Sequence, residues 1–102
     1  MSSPNYVVRV RNDVKATIAS WQLPREMLVG VYTRLLTELP SDPDRHLYDA
    51  IAPPNLWAFR FILGAAPLRR LLSFGVERRD YAGELHIIEA RLTTLGPSDE
   101  TP

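Results

Sequence analysis

The chain has 102 residues, with twelve basic and twelve acidic side chains, nine prolines and no cysteine. That length suits one domain with a thin core, and 45% hydrophobic residues are too many for an intrinsically disordered chain. Lack of cysteine excludes a disulfide framework, a thiolate metal site and a cysteine nucleophile, and zero net charge excludes a globally basic nucleic-acid binder, leaving only a local patch for such a role.

From the N-terminus, Met1 to Asn5 carries no basic region followed by an apolar stretch, and uncharged runs fall well short of the roughly 18 residues that span a bilayer. The expectation is a cytoplasmic protein without a membrane segment. Tyr6 to Arg11 alternates, with Tyr6, Val8 and Val10 on one face and Val7, Arg9 and Arg11 on the other, which predicts a half-buried strand. Asn12-Asp13 offers a helix cap, and Val14, Ile18 and Trp21 recur at helical spacing up to about Gln22. Pro24 suits the first position of a second helix. Its apolar stripe is Leu28, Val31, Tyr32, Leu35, Leu36 and Leu39, and Pro40-Ser-Asp-Pro43 predicts its end.

Residues 40 to 54 read as a turn-rich loop holding Asp42, Asp44, Arg45, His46 and Asp49. Three further strands follow. Leu56 to Leu63 places Trp57, Phe59, Phe61 and Leu63 on one face, and Gly64-Ala-Ala-Pro67 connects it onward. Leu68 to about Arg78 places Leu72, Phe74 and Val76 together. Asp80-Tyr-Ala-Gly83 reads as a hairpin loop, and Leu85 to Leu92 places Ile88, Ala90 and Leu92 on one face. The order β-α-α-β-β-β predicts an α+β fold in two layers: a mostly antiparallel four-stranded sheet with both helices on one face and the other face open. Residues 1–95 form the domain, and the acidic stretch 96–102 forms a polar tail.

On the open face, strand parity gathers Arg9, Arg11, Arg60, Arg69 and Arg91 against Glu77 and Glu89. Arg69 and Arg70 exchange places if a bulge follows Pro67. Two readings stand: guanidinium forks match phosphate oxygens, and arginines on an exposed strand face also form cross-strand ion pairs that keep a sheet soluble. His46 among acids lacks cage-like spacing for a metal and reads as part of a solvated loop. His86, by parity with Ile88 and Ala90, reads as a partly buried structural histidine. No glycine-rich phosphate loop, paired-histidine motif or nucleophile elbow is present, so no metal and no cofactor is expected.

The opening Tyr6-Val-Val-Arg-Val-Arg-Asn-Asp13, then Leu56 to Leu63, Leu68-Arg-Arg-Leu-Leu-Ser-Phe74 and Leu85-His-Ile-Ile-Glu-Ala-Arg91 together resemble the RelE/ParE toxin superfamily of bacterial toxin–antitoxin systems across about residues 6 to 92. The resemblance implies ribosome-dependent, metal-free cleavage of mRNA by attack of the ribose 2′-hydroxyl on the adjacent phosphate. The positions matching the family's basic catalytic residues are Arg60, Arg69 (or Arg70) and Arg91. Arg9, Arg11 and Arg70 are expected to bind nucleic acid. It also implies a cognate antitoxin, whose helical segment would lie in a hydrophobic groove beside Leu35 and Leu39. The alternative is a non-catalytic toxin-fold module that binds an antitoxin or inhibits a protein target such as a topoisomerase.

Overall fold

The computed structural model describes residues 6–52, 55–65 and 68–95. Val7–Val10 forms β1, shorter than the predicted strand, and Arg11 still donates its backbone N–H to the Ile87 carbonyl at 3.2 Å. Helix α1, Asn12–Ser20, begins one step earlier than the Asn-Asp cap predicts. Asn12 is therefore helical, and no side chain caps from the flanking Arg11. Instead the Asp13 carboxylate accepts the Val14 N–H at 3.0 Å within the first turn, where negative charge meets the positive end of the helix dipole. Val14 and Ile18, one turn apart, are the side chains that α1 buries. Past Ser20 the chain reverses through Gln22, which takes a left-handed φ of 52°.

Pro24 flanks helix α2, Arg25–Thr33, one position before its first residue, and accepts the Leu28 N–H at 2.9 Å. The helix does not stop at Pro40. It continues as a π-helical turn, Arg34–Glu38, and then as α3, Leu39–Ser41, with the Leu39 N–H reaching back to the Arg34 carbonyl. Proline lacks an N–H, and its ring collides with the carbonyl one α-turn behind it. A widened turn directly ahead of Pro40 gives that ring room. The break comes at Asp42 (φ −155°, ψ 77°), after which Pro43–His46 forms the single turn α4.

The sheet has five strands, not the predicted four. Asp49–Ala52, inside the segment read as loop, is β2, followed by β3 (Leu56–Ala65), β4 (Leu68–Arg79) and β5 (Glu84–Leu95). The order across the sheet is β1-β5-β4-β3-β2, with β1 parallel to β5 and every other pair antiparallel. Gly83, at φ 64°, closes the β4–β5 turn after the 3₁₀ turn Asp80–Ala82, as the sequence predicts. Residues 66 and 67 of the predicted β3–β4 connection, and the predicted tail at 96–102, lie outside the described residues.

The helices share one face of the sheet. Val14, Ile18, Val31, Leu35, Leu39 and Leu47 meet Phe59, Phe61, Leu72, Phe74, Val76, Leu85 and Ile87 in one core. Phe61 and Phe74 stack with centroids 5.7 Å apart, and Phe59 tilts against Phe61 at 5.2 Å. The half-buried Trp57 and Leu63 pack against this core, matching the parity predicted for β3. Parity fails only on β5, where Leu85 and Ile87 are fully buried although the sequence reading placed them on the open face. The register jumps from Val76↔Ile87 to Gly75↔Glu89, leaving Ile88 as the extra residue of a bulge. The bulge resets the alternation, so that Ala90 and Leu92 also pack toward the core.

Candidate nucleic-acid interface

On the face away from the helices, the register lines residues into rows that cross the strands. Arg91 of β5, Ser73 of β4 and Arg60 of β3 are directly opposed and form one row. Neighbouring strands lie about 5 Å apart, so two guanidinium-bearing strands flank a hydroxyl-bearing one. The adjoining row is Thr93, Leu71 and Ile62, and the next is Leu95, Arg69 and Gly64. In the opposite direction along β4 lie Glu77, opposed by His86, and Arg79, opposed by Glu84, with Arg9 of β1 beside His86.

Carboxylates hold most of these arginines. Arg60 pairs with Asp49 of the edge strand β2, and Arg91 pairs with Glu89 at 3.0 Å, two residues back on its own strand. Arg79 pairs with Glu77 at 2.9 Å, and that bond, acting against a smaller desolvation effect, raises the guanidinium pKa. Glu84 accepts from Arg9 Nε at 3.1 Å and lies 2.8 Å from His86 Nε2. The hydrogen bond with His86 first, and then the one from Arg9, lower the Glu84 pKa. Among the described residues Arg69 has no ion-pair partner. The face therefore carries Arg9, Arg60, Arg69, Arg79 and Arg91 against Asp49, Glu77, Glu84 and Glu89, a nearly balanced set rather than the cationic surface predicted.

Of the predicted site residues, Arg60 and Arg91 come together across Ser73, and Arg69 lies four residues away along β4, about 14 Å at strand rise. Arg70 does not join them. It shares the parity of the buried Leu72, faces the helix side, and donates to the Met27 thioether at 3.3 Å. Arg11 lies beyond the end of β1, held in a two-bond fork by Asp13. Arg9 is on the open face as predicted, tied to Glu84. His86 faces the open side, opposite in parity to the buried Leu85 and Ile87, because the bulge reverses the phase assumed for β5. His46, which ends α4, stands edge-on to Phe59 at 5.6 Å, and no group of three metal-ligating side chains occurs among the described residues.

The sequence reading missed Asp49, Glu84 and Arg79 as members of this face, and Ile62 with Leu71 as its apolar row. Alternation along β3 and β4 contains the signal for Ile62, Leu71 and Arg79; Asp49 is visible only once β2 is known to be a strand.

On the helix side, Leu35 and Leu39, predicted to line a partner groove, are fully buried in the core and cannot line one. A shallow groove of about 370 Å³ lies instead along the outer face of α2 and the π-helical turn, lined by Leu28, Val29, Tyr32, Thr33, Leu36 and Thr37. Val29 and Leu36 are 58% and 49% exposed, the profile of an apolar stripe that no described residue covers. No helix among the described residues is long and apolar enough to cross a membrane.

No protein-family model matches the sequence, and no curated protein matches it significantly. Among solved structures, the chain is similar to one in the crystal structure of the toxin–antitoxin complex RelBE2 from Mycobacterium tuberculosis, with a TM-score of 0.61 and 15% identity over 85% of this chain and 90% of that one. The likeness is one of fold, and it extends across most of the chain.

Proposed function

We propose that this chain is the RelE/ParE-like toxin of a bacterial toxin–antitoxin pair, acting in the cytoplasm with its open sheet face toward the target. The likeness of fold to a chain of the RelBE2 complex carries this reading. The register that sets Arg60 and Arg91 on either side of Ser73 supports mRNA on the ribosome as that target. Two guanidinium forks and a hydroxyl on adjacent strands match the spread of oxygens on one phosphodiester.

Cleavage there needs no metal. The 2′-oxygen forms a bond to phosphorus, the bond from phosphorus to the 5′-oxygen breaks, the 2′-hydroxyl gives up its proton and the leaving oxygen gains one. Arg60 and Arg91 stabilise the charge that builds on the phosphoryl oxygens, and Arg69 holds a neighbouring phosphate. The antitoxin helix would lay an apolar face along Leu28, Val29, Tyr32 and Leu36, whose spacing accepts side chains at successive helical turns.

One observation favours the non-catalytic alternative. Asp49 and Glu89 already neutralise Arg60 and Arg91, so phosphate has to displace a carboxylate at each. A toxin-fold module that inhibits a protein target such as a topoisomerase has no such requirement. Controlled expression in bacteria, with growth and mRNA integrity followed together, separates the two. Growth arrest with fragmented mRNA, both lost in Arg60→Ala and Arg91→Ala, supports the ribonuclease. Arrest with intact mRNA supports the alternative, and unimpeded growth refutes a toxin.

A further inference from the structure

The open face carries an apolar row that the arginine chemistry leaves unused. Ile62 and Leu71 are directly opposed on β3 and β4, Thr93 continues the row on β5, and Ile62 is 46% exposed. This aliphatic pair, with Ile62 exposed and Leu71 half-buried, contributes only a cross-strand contact to the fold, since no second layer covers that face among the described residues. Its position is specific. One row to one side, about 7 Å along the strands, lie Arg60 and Arg91. One row to the other side lies Arg69, which has no carboxylate partner among the described residues.

We infer that Ile62 and Leu71 form a seat for one unstacked nucleobase, with phosphates on either side of that base held by Arg69 and by the Arg60–Arg91 row. This deepens the nucleic-acid reading above and rests on it. Cation, aliphatic surface, cation is the order in which a single strand laid along β4 presents phosphate, base face and phosphate. A duplex cannot use it, because its base faces are stacked inside and only its backbone and base edges are offered. An acidic peptide could meet the arginines, but it has no flat apolar face between successive charges. The ligand assigned to this site is thus single-stranded polynucleotide, gripped through its backbone and one base.

The test uses the full chain and three labelled oligonucleotides of equal length: a single-stranded RNA, the same backbone with abasic positions, and a duplex. Fluorescence anisotropy at low salt should rank the intact single strand tightest. Replacing Ile62→Thr and Leu71→Thr together puts β-branched strand formers at both positions while removing most of the aliphatic seat. That double variant should bind the intact strand roughly tenfold more weakly and the abasic strand as the wild type does. Its dependence of affinity on salt should not change, since no phosphate contact is lost. Thermal unfolding of the variant verifies that the sheet is intact.

Equal affinity of the wild type for intact and abasic strands, with binding still lost in Arg60→Ala or Arg69→Ala, overturns the seat and leaves the nucleic-acid reading standing. No binding to any oligonucleotide overturns both. A glutamate-rich peptide that competes for the site and is weakened equally by the threonine pair assigns the row to a protein partner, and also overturns the seat.

Discussion

Arg78 and Arg91 are both ion-paired arginines on adjacent antiparallel strands, yet the two faces of the sheet put them to opposite uses. Arg78 is on the helix side with its side chain 13% exposed, donating to Asp44 at 2.8 Å and Asp80 at 3.2 Å beneath the ring of Tyr6, whose hydroxyl donates to Asp80 at 2.9 Å. Burial acts to lower the Arg78 pKa, but the hydrogen bonds with Asp44 and Tyr6 and the charge of Asp80 outweigh it and raise the value. The knot joins β4, α4, the Asp80–Ala82 turn and the approach to β1. Arg91 is 75% exposed, and its one ion-pair partner among the described residues is Glu89 on the same strand. Desolvation and the number of elements joined, not the presence of an ion pair, separate an arginine that holds the fold from one that can change partners.

The largest effect that can break this comparison is on stability. Arg78→Ala should cost about 2–3 kcal/mol, because it removes charged hydrogen bonds and the packing of a mostly buried guanidinium against Tyr6. The cost stays below that of a fully buried pair because Asp44 and Asp80 are themselves 86% and 60% exposed. Arg91→Ala should change stability by no more than about 0.5 kcal/mol. Urea unfolding measures both, and similar losses in the two variants would erase the distinction.

The next effect concerns exchange of partners. If Asp49 and Glu89 compete with phosphate for Arg60 and Arg91, the double substitution Asp49→Asn and Glu89→Gln should tighten binding of a short single-stranded RNA by roughly tenfold, within the range for exposed ion pairs. Stability should barely move. Unchanged affinity would mean that the carboxylates do not restrain the arginines. Weakened binding would mean that they orient them.

The sequence patterns that proved legible are those written in uninterrupted alternation. Phe59 and Phe61 on β3, and Leu72, Phe74 and Val76 on β4, read directly as core because every second residue is large and apolar. Arg60 and Arg69 followed as outward residues by the same count. What failed needed non-local information. The bulge at Ile88 sits beside Gly75, which is opposite Glu89: a β-carbon there would stand a tight 3.2 Å from that of Glu89, a closeness that sequence alone does not register. Strand β2 is a four-residue segment whose pairing with β3 shifts between Ala50 and Ala52, so its own alternation is too brief to announce it. Missing β2 hid Asp49, and with it the neutralisation of Arg60. Leu35 and Leu39 belong to one apolar stripe in the sequence, but a stripe does not say whether it faces the domain's own sheet or a partner; Phe61, Phe74 and Leu72 settle that by joining them in the core.

The smallest predicted effect lies at the other end of the open face, where Glu84 joins His86 and Arg9. The hydrogen bond with His86, followed by that from Arg9, lowers the folded-state pKa of Glu84 below its ordinary value of 4.5. A depressed carboxylate contributes stability that is fully present above its unfolded value and is lost as pH falls through its folded value. The stability gap between the wild type and Glu84→Gln should therefore be flat from neutral pH down to about 5, then close steadily as the pH is taken below 4. Urea midpoints for both proteins at pH 7, 5, 4 and 3 give the comparison. Glu84 and His86 share β5 while Arg9 comes from β1, so a gap that closes in acid shows that Glu84 is held by its own strand, by the neighbouring one, or by both. A gap that stays constant down to pH 3 would mean that neither residue holds Glu84, and that the parallel edge strand is kept in place by its backbone pairing with β5 and by Val8 and Val10 packing on the core.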